Sequence, residues 1–492
     1  MGLEITREHF DERDYQRFSR RLDESLDVLA SLLKRDDFGT GPSSVGAEIE
    51  ASLVDASGRP LPINSEVLAR SVDPRVTFEL NRFNLECNLR HAPLAGRPFS
   101  ALRGELEGVL AEMRHAAAPS GARIALIGIL PTLRSEDLQS EAMTESRRYR
   151  ALSAGLRRLR RGPFRLDIHG DDALAIECDD VTFEGAATSI QVHLRVAPRD
   201  FRRVYNAVQL ATPVVLAAAG NSPVLLGRRL WEETRVALFK QAVDGRAQAE
   251  PRRTAARVSF GQGWLEGGPL DLFRESVELH APLLPVLDDQ APERTPTMGE
   301  APPLRELRLH QGTVWRWNRA IYDPVGGGHL RIEMRFLPAG PTIEDMLANV
   351  AFLLGLALAM APEADDVAAA LPFGALHHAF YRAGQRGLAA ELPWPGDDRP
   401  RPARDLALQL LPRAQAGLDA AGVDPTDSAP LLELMGGRIE SGQTGARWQR
   451  ETLDRLERNE AREPALAAMF ERYLAHSLEG RPVHRWPLGD EP

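Results

Sequence analysis

Lysine is nearly missing from this chain of 492 residues: Lys34 and Lys240 are the only two, and every other cationic side chain is an arginine. Few candidates therefore exist for a catalytic lysine. No phosphate loop of the GxxxxGK[ST] kind occurs, and no GxGxxG follows a strand pattern. Cysteine is equally scarce. Cys87 and Cys178 stand alone, which excludes a disulfide framework and a thiolate zinc site. There is no GxSxG, and neither cysteine has the surroundings of a nucleophile. The apolar runs Val214 to Ala219 and Val350 to Ala361 are too short to span a bilayer. The start of the chain is charged from Glu4 onward and has no signal-peptide core. The expected address is the cytoplasm, with no membrane partner. A positive charge balance is absent too: the formal net charge is −10, which argues against a general nucleic-acid binder.

What is present is a composition of 43% hydrophobic and 26% charged residues, that of a soluble globular protein. The length suits two or three domains, or one large domain with additions. The most informative stretch is Gly46-Ala47-Glu48-Ile49-Glu50-Ala51-Ser52-Leu53-Val54. It reads as a strand, so Glu48 and Glu50 point to the same face, roughly 6.6 Å apart along it. At an effective dielectric near 20 their repulsion is about 2.5 kcal/mol. A fold accepts that when the pair is fully solvated, as on an ordinary surface strand, or when a hard divalent cation sits between them.

The remaining patterns place further polar groups. Phe10, Tyr15, Phe18, Leu22, Leu26, Leu29 and Leu33 predict an amphipathic helix over about 9–36. Thr77 to Leu89 reads as a second strand region, carrying Glu79 and Glu86. Ser100 is the expected cap of a helix with Leu102, Leu106, Leu110 and Met113 on one face. Arg123 to Ile129 reads as a buried strand, and Met143 to Arg161 as a basic helix. Thr188 to Leu194 alternates, with Ser189, Gln191 and His193 on one face. Asp200 opens a helix to about Ala219, and Trp231 to Gln241 resumes helix after Asn221-Ser222-Pro223. Asp288 to Pro303 reads as an exposed loop. Val314 to Arg319 and Leu330 to Leu337 are further strands around Gly326 to Gly328. Thr342 with Asp345 reads as a helix start. Beyond it the patterns are helical.

Glu48/Glu50, Gln191/His193 and Glu333/Arg335 thus repeat one device, polar groups two residues apart in apolar surroundings. Glu on three strands suggests one lined face of a curved sheet. Such a face would hold divalent metals through carboxylates and an imidazole, with arginines for an anionic ligand. Each member also has a plainer reading: a satisfied core histidine for His193, a backbone-capping amide for Gln191, an ion pair for Glu333 with Arg335. Asp167 with His169, and His377 with His378, are read as structural.

Taken in order, these stretches resemble the glutamate–cysteine ligase family, specifically its plant-like and bacterial second group. Gly46 to Glu50 resembles the family's opening metal strand, and Leu85-Glu86-Cys87-Asn88-Leu89 its next acidic strand. Gly128-Ile129-Leu130-Pro131, Met143 with Arg148-Tyr149, and Thr188 to Leu194 follow. Asn221-Ser222-Pro223 with Gly227 and Thr234-Arg235 resembles the N-S-P…G…R signature. Trp315 to Arg319 and Ile332-Glu333-Met334-Arg335 resemble the final W…R and E-x-R strands. His193 departs from the Asn of the plant-like enzymes, and the chain after about 360 matches no substrate motif.

The resemblance implies an α+β fold with a curved, mainly antiparallel sheet of the glutamine synthetase type, flanked by helices. It implies an N-terminal helix in 1–40, a catalytic domain in 41–360 and a mainly helical region in 361–492. The implied activity is an ATP-dependent ligase that joins the γ-carboxylate of glutamate to the amine of cysteine through an acyl phosphate, in low-molecular-weight thiol biosynthesis. A ligase using another amine or acid is the alternative. Glu48, Glu50, Glu86, His193 and Glu333 would bind Mg²⁺. Arg319 and Arg335 would face the phosphates of ATP. Arg235 would hold the α-carboxylate of a glutamate-like substrate, with Gln191 and Arg148 as weaker members of that pocket.

Overall fold

The computed structural model describes residues 5–247, 254–289 and 299–489. Its centre is an eight-stranded sheet. Six strands run in the spatial order Asn318–Asp323, His329–Met334, Ile190–Val196, Ser44–Val54, Asn84–Asn88 and Val76–Phe78. The short strands Ala92–Pro93 and Arg123–Ala125 pair with the two ends of Ser44–Val54. Every pairing is antiparallel. The fold is α+β, with a curled antiparallel sheet, flanking helices and a helical C-terminal region, as expected.

Alternation along Ser44–Val54 divides its side chains. Val45, Ala47, Ile49, Ala51 and Leu53 are buried in the apolar core, which leaves Glu48, Glu50 and Ser52 to the other face. The core behind the sheet is made largely of helices Phe201–Ala219, Ile343–Met360, Ala403–Ala420 and Pro425–Ser441. Ile343–Met360 is buried almost all round and is capped by Thr342, whose Oγ1 accepts from the Asp345 amide at 3.1 Å. It crosses Ala403–Ala420 so closely that a Cβ at Gly355 or Gly417 would meet the backbone of the other helix. A buried pair ties in the next helix: Arg438 Nη2 lies 2.8 Å from Asp345 Oδ1. One apolar cluster therefore runs from Ile5 through Ile439.

Several elements differ from the sequence reading. Thr77 to Leu89 is two strands, Val76–Phe78 and Asn84–Asn88, folded back on each other. The helix assigned to Ser100 starts at Pro98, which suits a first helical position, and the Ser100 hydroxyl and amide bind Asp427 instead. The strand from Arg123 ends at Ala125, and helix resumes at Arg235 rather than Trp231. The first helix, Glu12–Leu32, begins at an Asp11–Asp14 capping box. The apolar stretch around Val350 is longer than it reads: Ile343–Ala370 has the length and composition to cross a membrane, but 78% of its apolar window is buried inside the protein. Residues 290–298 of the predicted Pro-rich loop lie outside the described residues.

Candidate active site

The polar face of the sheet gathers two sets of ligating groups side by side. In the first, ligand atoms of Glu48, His193 and Glu333 lie within 4.8 Å of one another. Strand register builds it, because Glu333 is the direct cross-strand neighbour of His193. His193 Nε2 is 3.2 Å from Glu48 Oε1 and 3.9 Å from Glu333 Oε1. The imidazole is 5% exposed, with Nε2 turned to the two carboxylates and Nδ1 without a partner.

The second set is Glu50, Glu79 and Glu86, with carboxylate oxygens within 4.8 Å of one another. Glu50 and Glu86 are directly opposed on adjacent strands. Glu79 follows Val76–Phe78, and Thr77 pairs with Glu86. Alternation therefore returns the Glu79 side chain to the same face. Burial raises all three carboxyls above their ordinary range. For Glu79 the charges of Glu86, Glu50 and Glu184 add to it; for Glu86 the charge of Glu48 adds. Crowded carboxylates of this kind fit a hard divalent cation: the all-carboxylate second set suits Mg²⁺, while the imidazole of the first set also admits softer divalent ions.

Arginines border both sets. Arg319 grips Glu333 with two parallel bonds, Nε to Oε2 at 2.7 Å and Nη2 to Oε1 at 3.0 Å. Arg335 Nη1 donates to Glu333 Oε2 at 3.2 Å and to Gln191 Oε1 at 2.6 Å. Burial pushes the Glu333 carboxyl up, but Arg319, then Arg335, hold it down to about 2. Gln191 passes the chain on: its Nε2 donates to Glu50 Oε1 at 2.7 Å. Ser189 donates to Glu50 Oε2 from both its amide and its hydroxyl. A cavity of about 110 Å³ opens between Glu48, His193, Glu333, Arg148, Arg319 and Arg331. A second, of about 600 Å³, continues past Glu48, His193 and Arg331 to Arg90, His91 and Arg195.

Arg235 sits apart from the cations of that cavity. Its Nη1 donates to Glu233 Oε1 at 3.1 Å and to the Phe336 carbonyl at 3.2 Å, and its Nη2 to the Arg335 carbonyl at 3.4 Å. The Asn221-Ser222-Pro223 segment supports it: Ser222 Oγ donates to Glu233 Oε1, and the Asn221 amide to Glu233 Oε2. Gly128 leaves the room, since a Cβ there would lie 3.1 Å from Arg235 Cδ. Its charge still reaches the Glu50 end of the site, where it opposes the upward push of burial on the Glu50 carboxyl.

Of the residues singled out from the sequence, Glu48, Glu50, Glu86, Gln191, His193, Arg319, Glu333 and Arg335 meet on this face, Arg148 borders its smaller cavity and Arg235 sits apart, and Glu48 and Glu50 belong to different sets. Glu79, read without a firm role, joins the second. Glu184 and the Ser189 contact to Glu50 were missed. Glu184 lies on a short 3-10 turn, where no periodic signal marks it. Asp167 and His169, read as structural, form an exposed contact at 2.8 Å, and His377 and His378 lie within a helix, as expected.

The polar face of the sheet thus carries two carboxylate-rich sets bordered by arginines. The chain belongs to glutamate–cysteine ligase family 2 (GCS2), whose model matches residues 44–472. It is 23% identical over 397 residues to a Mycolicibacterium vanbaalenii protein provisionally named glutamate–cysteine ligase 2-2, covering 80% of this chain and 89% of that one. Among solved structures it is similar to the glutamate–cysteine ligase of Francisella tularensis in complex with AMP, with a TM-score of 0.54, 14% identity, and 92% and 91% of the two chains covered. It is also similar to a bifunctional glutathione synthetase of Pasteurella multocida, with a TM-score of 0.50, 11% identity, and 93% of this chain against 53% of that one covered. Both likenesses establish the fold. The family makes the protein a carboxylate–amine ligase acting on small molecules.

Proposed function

We propose that the protein activates the γ-carboxylate of glutamate, or a close analogue, with ATP and passes the acyl group to an amine, cysteine being the first acceptor to test. The observation that carries this is the adjacency of the two ligand sets on one face, with Arg335 linked to Glu333 and, through Gln191, to Glu50, and with Arg319 between Glu333 and the arginine-lined cavity. The M. vanbaalenii relative supports glutamate and cysteine, and the AMP in the F. tularensis structure supports ATP.

A carboxylate oxygen of the donor attacks the γ-phosphorus, and the bond from that phosphorus to the bridging oxygen breaks. ADP leaves, and an acyl phosphate forms. The amine lone pair then attacks the acyl carbon, the carbon–oxygen bond to phosphate breaks, and the amine proton leaves with phosphate. Glu48, His193 and Glu333, and Glu50, Glu79 and Glu86, are the groups that would hold Mg²⁺. When bound, Mg²⁺ neutralises phosphate charge and aligns the transferring group. Arg319 and Arg335 face the moving phosphoryl group, where charge shifts in the transition state. Gln191 keeps Arg335 and Glu50 in register with each other. Arg235 and Arg148 are assigned to the acid substrate, Arg235 through its reach to the Glu50 end. The address remains the cytoplasm in this reading.

The test is ADP release with ATP, Mg²⁺ and glutamate, screened across amino acids and simple amines. Cysteine-dependent release is the expected result. Release with a different amine keeps the ligase and changes the acceptor. No release with any amine, despite ATP binding, overturns the enzymatic reading.

A further inference from the structure

A cavity of about 900 Å³ lies apart from the two already described and shares no wall residue with them. Helix Arg147–Arg160 supplies one wall. Its positions 150, 153, 154 and 157 recur at three- and four-residue spacing, so one face of the helix looks into the space. Arg82 and residues 138–145 supply another. That wall is bonded to the ribbon that carries Glu79: the Thr144 amide donates to the Leu80 carbonyl at 2.8 Å, its hydroxyl to the Glu79 carbonyl at 2.5 Å, and the Arg82 amide to the Ala142 carbonyl at 2.7 Å.

Three arginines and five carboxylates line the cavity, yet none of these arginines pairs with any of these carboxylates. Arg150 is held by Glu8 at 2.7 Å, and Glu177 by Arg165 at 3.0 Å, with both partners outside the cavity. Among the described residues the Arg82 side chain, half-buried, has no partner, and neither has Arg157. Glu145 and Asp179 have no cation paired with them either. Ser153 is 7% exposed, and its hydroxyl makes no hydrogen bond among the described residues. Buried hydroxyls are almost always bonded, so the partner of this one comes from the cavity itself.

This lining selects its occupant. A simple anion would suit Arg82 but would meet an excess of carboxylates. A simple cation would suit the carboxylates and leave the half-buried arginine unmatched. A molecule with both charges satisfies both sides: a guanidinium donates two parallel bonds to a carboxylate, and an ammonium group offers three N–H donors. Leu138 and Phe183, both buried, add an apolar surface for a side chain. The volume is that of a small-molecule site.

We infer that this cavity binds a zwitterionic amino acid or short peptide, its carboxylate on Arg82 and Ser153 and its ammonium group on Glu145 and Asp179. The inference does not rest on the ligase reading.

The test uses the full-length protein without ATP or Mg²⁺. The probes are the twenty L-amino acids and their glycyl dipeptides, each beside its N-acetyl and its amide form. At least one free zwitterion should raise Tm, while its N-acetyl and amide forms should not. Arg82→Gln should weaken the Kd of that compound, read by calorimetric titration, on the order of 10–100-fold, the scale of a lost charge-assisted hydrogen-bond set. Arg82 has no partner to abandon, so the Tm of the unliganded variant should match wild type. The double variant Glu145→Gln, Asp179→Asn should weaken the same Kd. The inference is overturned if no probe raises Tm, if the blocked forms bind as well as their parent, or if every probe that binds keeps its Kd in Arg82→Gln. Product analysis with ATP, Mg²⁺ and glutamate then assigns the role of the occupant. A compound joined to glutamate is the acceptor, one recovered intact is an effector, and the site stands in both cases. Binding at Arg82 with no ADP release under any condition would sink the ligase reading and leave this one in place.

Discussion

Glu50 and Glu86 face each other directly across two adjacent antiparallel strands, with Glu79 completing a triangle of carboxylates. Like charges in that position destabilise a sheet. Divalent cation should therefore stabilise this protein, by about 2.7 kcal/mol at a hundredfold excess over Kd. Glu86→Gln should melt slightly higher than wild type without Mg²⁺ and should lose most of the Mg²⁺-induced rise. Thermal melts across an Mg²⁺ titration check this. A wild type whose Tm ignores Mg²⁺ would leave the triangle without a metal role.

The pH dependence has a definite sign. The Glu184 carboxyl is pushed up to about 8 from an ordinary 4.5, by burial and then the Glu50 charge, against Arg335 and Arg235. A group raised in the folded state contributes stability that is fully present below its unfolded pKa and is lost as pH rises through the folded value. Between pH 4.5 and 8 the metal-free protein should lose Tm as pH rises, and Glu184→Gln should flatten that decline. Glu333 acts in the opposite sense: held to about 2, it contributes stability above pH 4.5 that is lost as pH falls through 2. Melts of wild type and Glu184→Gln from pH 4.5 to 8.5 read the Glu184 contribution, because the Glu333 window lies below that range. Parallel curves would show that Glu184 does not titrate in this window.

Glu333 and Arg335 share a strand face but should fail differently. Glu333→Gln keeps volume and loses charge, so excess Mg²⁺ should restore part of its activity. Arg335→Ala should lower the turnover number by on the order of 10²–10³, more than it weakens ATP binding, and Mg²⁺ should not rescue it. Initial rates and nucleotide binding, with melts alongside, decide this. If both variants lose several degrees of Tm and neither responds to Mg²⁺, the Glu333–Arg335 contact is scaffold, and the phosphate site lies elsewhere.

Arg235 presents a similar choice, sharpened by its partners. Its bonds to Glu233, Phe336 and Arg335 anchor the end of strand His329–Met334. Arg235→Lys should raise KM for the acidic substrate several-fold more than KM for ATP, because a lysine cannot reproduce a two-pronged contact. Equal effects on both substrates would assign Arg235 to support of the strand alone.

The strand period alone placed Glu48 with Glu50, and Gln191 with His193, each pair on a common face, because alternation is a property of the local backbone. The amphipathic first helix and the Thr342 cap are local in the same way. Tertiary structure decided how those faces meet. Pairing of Ser44–Val54 with Asn84–Asn88 set Glu50 against Glu86, while the register of Ile190–Val196 with His329–Met334 set His193 against Glu333. Glu48 and Glu50, two residues apart on one strand face, were thereby divided between two sets of ligands. Register joins segments more than a hundred residues apart in the case of Glu333 and His193, and no window of sequence contains both partners. The crossing at Gly355 and Gly417 is of the same kind: each glycine matters only because the other helix arrives there. Glu184 is the sharpest instance. On a turn without period or motif, it gained a setting only when the folded chain brought Asn81 against Gly185 and Glu50 within reach of its charge.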